Sequence, residues 1–94
     1  MQSNTKYIHV RKVDNNGVIL PNGGLTIAYV LNDQFKVVGY AAARCHSKDH
    51  YNKQIGRAKA AGRLRSGQYF QHVNDMNEKE FIEKAMKGYN TSNL

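Results

Sequence analysis

The chain has 94 residues, with 14 Lys or Arg against 7 Asp or Glu and a formal net charge of +7. This length fits a single domain over residues 1–94 and leaves no room for separate cofactor and substrate lobes. One cysteine excludes an internal disulfide framework, no apolar run approaches the roughly 18 residues of a membrane helix, and the N-terminus lacks a signal peptide, so we expect a soluble cytoplasmic protein.

Alternating β-forming residues, separated by turns rich in Asn, Gly and Pro, predict an antiparallel meander in the N-terminal half. The predicted strands cover residues 5–13, 18–20, 25–31 and 35–45, with turns at 15–17, 21–24 and 32–34. In the fourth strand, the face with Phe35, Val37, Gly39, Ala41, Ala43 and Cys45 has smaller side chains after Val37. We expect the next element to pack closely there.

The next element is predicted as a long basic helix over residues 48–65, with Ser47 as its N-cap and Gly67 as its C-terminal stop. At 3.6 residues per turn, one stripe of uncharged side chains is expected to face the sheet. That stripe consists of Tyr51, Ile55, Ala58 and Gly62. The basic side chains are then expected at the surface.

Positive charge is concentrated in the same part of the chain. Residues 44–65 contain seven Lys or Arg residues and one acidic residue, Asp49. Such a patch attracts phosphate backbones or an acidic protein face. The predicted partner-binding residues are Lys48, Lys53, Arg57, Lys59, Arg63 and Arg65. Candidates for stacking on nucleic-acid bases are Tyr7, Tyr29, Tyr40, Tyr69 and Phe70.

The C-terminal part predicts a short edge strand over residues 68–73 and an amphipathic helix over 78–89, capped by Asn77 with Glu80 three residues later. Its stripe of Phe81, Ile82, Ala85, Met86 and Tyr89 is expected in the core. The predicted fold class is therefore α+β: an antiparallel β-meander of three to five strands, packed against one long basic helix, plus a C-terminal amphipathic helix.

One cluster of residues suggests chemistry: Cys45, His46, Asp49 and His50. It lacks the second ligand pair of a zinc site, and adjacent strand residues such as Cys45 and His46 point to opposite faces. No phosphate-binding loop or calcium loop is present. We therefore expect a non-enzymatic protein with no metal and no cofactor. A small nuclease that uses His46, Asp49 and His50 is a third hypothesis, after the two binding functions given below.

Residues 41–64 combine a strand ending in Cys, a capping Ser, Asp shortly before an aromatic residue, then Asn-Lys, Gly-Arg and Ala-Gly-Arg-Leu. This block, with residues 23–29 upstream, resembles small phage and mobile-element proteins and, among them, anti-CRISPR inhibitors of type I surveillance complexes. The resemblance implies binding to a Cas protein–guide RNA complex and blocking of target DNA without catalysis, in the host cell cytoplasm if the protein is phage-encoded.

Two functions follow as expectations. The first is an inhibitor that docks on such a ribonucleoprotein through its basic helix. The alternative is a small basic accessory protein that binds DNA or RNA directly, with an affinity that falls steeply as salt rises. In either case we expect a monomer or a weak homodimer, the latter formed by an exposed sheet edge or by the small-residue helix face.

Overall fold

Four antiparallel strands form one sheet in the order of the chain. In the computed structural model, which describes residues 5–67 and 71–92, the sheet order is β1-β2-β3-β4. The strands are β1 (Thr5–Val10), β2 (Asn22–Leu31), β3 (Lys36–His50) and β4 (Gln71–Asn77), and the helices are α1 (Lys53–Ser66) and α2 (Glu78–Ser92). The predicted α+β class, with a meander and a C-terminal helix, is confirmed.

A local polar turn connects β2 to β3. Asn32 Oδ1 accepts hydrogen bonds from the backbone N–H groups of Gln34 and Lys36, at 2.9 and 3.0 Å, which reverses the chain between β2 and β3. The strand predicted at residues 18–20 is wrong, because a single bridge between Val13 and Ile19 forms there. The turn predicted at residues 21–24 is also wrong from residue 22 onward, where β2 begins.

The larger apolar side chains lie on one face of the sheet and form the main core under α2. The buried members are Ile8, Val10, Ile27, Tyr29, Leu31, Val37 and Phe81. The ring of Phe81 lies 5.1 Å from that of Tyr29 and 5.3 Å from that of Tyr40, measured between centroids. Such tilted aromatic pairs contribute beyond the area that they bury.

Polar contacts fix the start of α2. Asn77 Oδ1 accepts from the backbone N–H groups of Lys79 and Glu80, at 2.9 and 3.3 Å, as its predicted capping role requires. The Tyr29 hydroxyl donates to Glu78 Oε2 at 2.7 Å, and Lys6 Nζ lies 3.3 Å from the same oxygen. The Tyr29 hydrogen bond, with a smaller contribution from Lys6, lowers the pKa of Glu78. These contacts attach the first turn of α2 to β1 and β2.

The core stripe predicted for α2 is confirmed in part. Phe81 is buried, and Ile82 and Ala85 pack partly buried against the core, whereas Met86 is 39% exposed. The side chain of Tyr89 lies outside the described residues, as do residues 68–70 of the predicted fifth strand. Within residues 5–67 and 71–92, neither helix combines the length and apolarity needed to cross a membrane.

α1 packs on the opposite face of the sheet, where the side chains are small. Ala60 of α1 is buried with Ala28 and Ala43, and Leu64 packs beside them. Gly56 lies over Thr26, and a Cβ added at Gly56 would overlap Thr26 Oγ1. The inward stripe of α1 is therefore Gly56, Ala60 and Leu64, at the i, i+4, i+8 spacing of one helix face.

The inward stripe predicted for the helix is wrong except at Tyr51, which precedes α1, is half-buried and contacts Thr26 and Leu25. Ile55 is 53% exposed, Ala58 is exposed, and a Cβ added at Gly62 would meet no atom within 4 Å. These three residues line the outward side of the helix. The prediction that small residues pack on this face is correct, but the residues are Gly56 and Ala60 instead of Ala58 and Gly62.

A bulge at Val38 changes the facing of β3. Val30 pairs with Gly39 but Leu31 pairs with Val37, so Val38 is the extra residue on β3. Strict alternation had placed Val37 on the same face of β3 as Gly39. Because of the bulge, Val37 instead lies in the core under α2. Phe35 precedes the strand at φ 61° and is 73% exposed.

The close contact between α1 and the sheet predicts opposite effects for two Gly-to-Ala substitutions in one helix. Gly56→Ala should lower the free energy of unfolding by about 1–3 kcal/mol, because its methyl group overlaps Thr26. Gly62→Ala should raise it by about 0.5–1 kcal/mol, because the site is open and alanine favours the helix. Urea unfolding followed by circular dichroism measures both; equal changes in the two variants would contradict this packing.

Candidate nucleic-acid interface

α1 begins later than the sequence predicted. Asn52 is its N-cap, and the Asn52 side chain accepts from the backbone N–H of Ile55 at 3.0 Å. The predicted cap, Ser47, and the predicted first helical residue, Lys48, instead lie in β3. Gly67, with φ 74°, ends the helix in the left-handed conformation, and its N–H donates to Arg63 O, as predicted for this glycine.

The end of β3 leaves the regular ladder. Gly24 pairs with Cys45 and Asn22 pairs with His50, so residues 46–49 have only Gly23 opposite them. We call residues 46–49 the β3 bulge. The Cys45 sulfur lies 3.5–3.6 Å from the carbonyl oxygens of His46, Asp49 and His50, so the backbone of the bulge bends around this thiol. Lys48, one of the predicted binding residues, is exposed on the bulge.

Four of the predicted binding residues are exposed on α1, and we call this set the α1 surface. It consists of Lys53, Arg57, Lys59 and Arg65. Lys53 and Arg57 lie close enough to His9 of β1 to lower its pKa, whereas Lys59 lines a cleft beside β3. A ridge of exposed Ile55, exposed Ala58 and half-buried Gly62 runs between these two flanks, because helical residues repeat every 3.6 positions.

Arg63 differs from the prediction that it points into solvent. Its side chain is half-buried, and its guanidinium group donates to the backbone carbonyl of Ala42 at 2.8 Å. The inward rotation of Gly56 and Ala60 brings Arg63 onto the sheet side of α1, against β3. Arg63 therefore contributes to the attachment of the helix, and we leave it out of the α1 surface.

The ion pairs of the described residues do not involve the α1 surface. Among residues 5–67 and 71–92, the ion pairs join Lys6 to Glu78 at 3.3 Å and Lys84 to Glu80 at 3.9 Å, and both carboxylates belong to α2. Within that same part of the chain, no carboxylate forms an ion pair with a member of the α1 surface. The positive charges of the α1 surface are therefore exposed and, within the described residues, not ion-paired.

A polar cluster under the start of α1 joins three distant parts of the chain. The Tyr51 hydroxyl lies 2.8 Å from both His9 Nδ1 and Thr26 Oγ1, and it donates to the Leu25 carbonyl at 3.2 Å. The Arg11 guanidinium lies over the Tyr51 ring, 4.6 Å from its centroid. The cluster fixes the segment that leads from β3 into α1.

The pKa of His9 is lowered from its ordinary value of 6.5. Burial is the main cause, because it disfavours the charged imidazolium, and the nearby positive charges of Lys53, Arg57 and Arg11 act in the same direction. His9 therefore favours its neutral form in the folded protein.

An open cleft of about 320 Å³ lies between the β3 bulge and the first turns of α1. We call it the β3–α1 cleft. Its lining includes the buried residues Thr26 and Ala43 and the backbone at Gly56, together with half-buried Cys45. Its exposed charged or titratable residues are Arg44, His46, Asp49, His50 and Lys59.

The residues that suggested chemistry meet at this cleft without forming a catalytic arrangement. His46 Nδ1 accepts from the backbone N–H of Lys48 at 3.1 Å, and the Cys45 thiol contacts backbone carbonyls. A nucleophilic cysteine needs a base within hydrogen-bond reach. Over the described ranges, no three His, Cys, Asp or Glu side chains form a group that could hold a metal ion.

Few of the candidate stacking residues are placed to meet a base. Tyr29 is 2% exposed and Tyr40 is half-buried, both in the core with Phe81, so the prediction for Tyr29 is wrong. Tyr7 is 37% exposed on β1. Tyr69 and Phe70 lie outside the described residues. The site therefore depends on cations and on the β3–α1 cleft more than on exposed aromatic rings.

The cleft and the Tyr51 cluster are features that the sequence did not predict. Tyr51 contacts residues 25 and 42 positions away in the chain, and the β3 bulge has no turn-forming Gly or Pro to mark it. Comparison of the chain with models of protein families, with characterised proteins and with solved structures finds no match. The function must therefore be argued from the site itself.

The lowered pKa of His9 predicts a loss of stability in mild acid. Below about pH 6.5 the unfolded chain binds a proton at His9 while the native protein does not, so the free energy of unfolding should fall until the native pKa is reached. Denaturant unfolding at about pH 7.5 and about pH 5.5 measures this change. It should be smaller in His9→Gln, whereas His50→Gln, an exposed control, should retain the wild-type change; the reverse pattern would contradict it.

Proposed function

We propose that this protein is a non-enzymatic nucleic-acid-binding protein that contacts the sugar–phosphate backbone through the α1 surface. One observation carries the proposal: four exposed cations lie along a single helix, and within residues 5–67 and 71–92 none of them is paired with a carboxylate. Cations that are already desolvated or paired gain little from a new anion, whereas these exposed ones can exchange counterions for phosphates.

The length of the α1 surface favours a polymer over a small anion. From Lys53 to Arg65 the helix extends about 18 Å at about 1.5 Å per residue. A nucleic acid presents phosphates at short, regular intervals over that whole length. Arg57 and Arg65 add planar guanidinium groups, which bind phosphate oxygens in pairs.

The neutral ridge between the cations allows close approach. Ala58 and Gly62 present almost no side chain, so a sugar–phosphate backbone lying on them comes within reach of Arg57 on one flank and Lys59 on the other. A second copy of this chain is disfavoured on the same surface, because it would bring two sets of like charges together without counterions.

A second candidate function is favoured by the sequence block that resembles anti-CRISPR inhibitors. Residues 41–64 cover the second half of β3 and most of α1, so the block carries three of the four cations of the α1 surface. On this candidate, α1 docks on guide-RNA phosphates of a Cas protein–guide RNA complex and blocks target DNA. A basic surface fits exposed RNA, whereas a mimic of DNA would be acidic.

The cellular setting belongs to the same proposal. Cys45 is a free thiol, which suits a reducing cytoplasm, and we place the protein there, in the host cell if it is phage-encoded. We propose a monomer or a weak homodimer that acts by binding stoichiometrically, without a cofactor.

Removing charge from the α1 surface should weaken binding to nucleic acid. Four phosphate contacts correspond to a slope of about −3 to −3.6 in the plot of log affinity against log salt concentration. In the variant Lys53→Gln, Arg57→Gln and Arg65→Gln, we expect this slope to fall to about −1 and the affinity at low salt to fall at least tenfold, since each lost phosphate contact reduces the slope by about 1. Fluorescence anisotropy with labelled single-stranded RNA and DNA measures both quantities.

The matched control removes positive charge from the other face of the protein. Lys79→Gln with Lys84→Gln changes exposed lysines of α2, and we expect the affinity to stay within about twofold of wild type, apart from the small effect of net charge. Equal losses in both variants would show non-specific attraction and contradict the proposal.

Capture from a lysate containing a Cas protein–guide RNA complex, with and without nuclease, tests the second candidate function. If an acidic protein is retained after complete RNA digestion, the partner is that protein and not nucleic acid.

A further inference from the structure

We propose that the β3–α1 cleft binds a single nucleotide, with the phosphate group at Lys59 and the base inside the cleft. This inference deepens the proposed function and rests on it, because the nucleotide belongs to the strand that lies along the α1 surface. It assigns a ligand to the one part of this surface that is concave.

The size of the cleft suits one nucleotide. Its volume of about 320 Å³ is at the lower end of the range for ligand pockets, which is about 300–1,000 Å³. Thr26 and Ala43, which are 0% and 4% exposed, close the deep end of the cleft beside Gly56. The accessible apolar wall consists of Cys45, Tyr51 and Ile55. A flat, largely apolar group such as a nucleobase fits such a wall.

The cleft offers both cationic partners and an anionic partner to a nucleotide. Lys59 lies on α1 and Arg44 on β3, and His46 and His50 add imidazole groups on the strand side. The carboxylate among the lining residues is Asp49. Lys59 suits a phosphate, whereas the Asp49 carboxylate accepts a hydrogen bond from an N–H on the Watson–Crick edge of a base, such as N3–H of uracil.

The cleft is continuous with the α1 surface. Lys59 belongs to both, and Ile55, which is 53% exposed, lies on the ridge of α1 and also lines the cleft. A strand that follows the ridge therefore passes the cleft at Lys59. Ile55 offers an apolar contact to the face of a base that turns inward there.

This geometry predicts a preference for single strands. A base reaches the cleft only when it leaves its stack, which is cheap in a single strand and costs unpairing and unstacking in a duplex. The phosphate contacts along α1 do not favour a single strand, because a duplex has the higher charge density. Discrimination between single-stranded and duplex ligands therefore reports on the cleft and not on the rest of the surface.

Cys45 supplies a local probe, because it is the one cysteine of the chain and it lines the cleft. The rate of its modification by a small maleimide is measured with uridine monophosphate, uridine, inorganic phosphate, a 12-mer of single-stranded RNA or a 12-base-pair RNA duplex. A mononucleotide present at about ten times its Kd should slow the reaction about tenfold, because only the free fraction reacts. The single strand should protect Cys45 as well, and the duplex should not.

Two lysines of the same helix provide the matched variants. Lys59→Gln should weaken protection by uridine monophosphate at least fivefold, whereas Lys53→Gln, which does not line the cleft, should leave it unchanged. Both variants should weaken anisotropy binding of the 12-mer to a similar extent, because both remove one phosphate contact. The comparison thus separates the cleft from the phosphate-binding surface.

The outcomes that overturn the inference are distinct from those that overturn the proposed function. If the 12-mer binds but neither it nor uridine monophosphate slows modification of Cys45, the cleft is not a nucleotide site and the proposed function stands. Equal protection by inorganic phosphate alone would show an anion site without base recognition and would overturn the inference. If uridine monophosphate protects Cys45 and no oligonucleotide binds, the proposed function fails while the cleft remains a nucleotide site.

Discussion

The contact between Gly56 and Thr26 sets the orientation of α1, and the rest of the proposed binding face depends on it. Because a Cβ at Gly56 would overlap Thr26 Oγ1, the helix lies against the sheet with its backbone as the contact surface. This rotation places Ala60 and Leu64 inward, Arg63 against β3, and Ala58 and Gly62 outward. A larger residue at position 56 would lift or rotate the helix and redistribute every cation on it.

The two faces of the sheet have different physical roles. The face under α2 has the large side chains, such as Leu31, Val37 and Phe81, and supplies most of the apolar burial. The face under α1 has Thr and Ala, so it gains little from burial and depends on close packing, the Asn52 cap and the Tyr51 cluster.

The sequence predicted the architecture better than the orientation of its parts. Alternation and turn residues located β1, β2 and β3, and Asn77 and Gly67 located two helix ends, because these signals act over a few residues. The prediction of the inward stripe of α1 was wrong because Ile55 is more hydrophobic than Gly56. The sheet packs so closely on the helix that a residue with a side chain does not fit at position 56. The sequence did not predict the bulges at Val38 and at residues 46–49, because each depends on pairing with a partner strand distant in sequence. Four cations of the site were predicted correctly as exposed, whereas the cleft beside them arises from tertiary contacts alone.

The shared position of Lys59 couples the two parts of the proposed site. A phosphate at the mouth of the cleft would bind the same ammonium group, that of Lys59, as a strand on the ridge. Lys59 therefore contributes one phosphate contact, and not two, to the slope of log affinity against log salt concentration. Phosphate contacts alone would bind any polyanion. Insertion of a base into the cleft would add discrimination in favour of single-stranded nucleic acid without adding charge, so the adjacent bulge would make the basic helix selective. On this account the β3 bulge provides selectivity and α1 provides affinity. Their relative placement is set by Tyr51, which connects the end of β3 to the start of the helix.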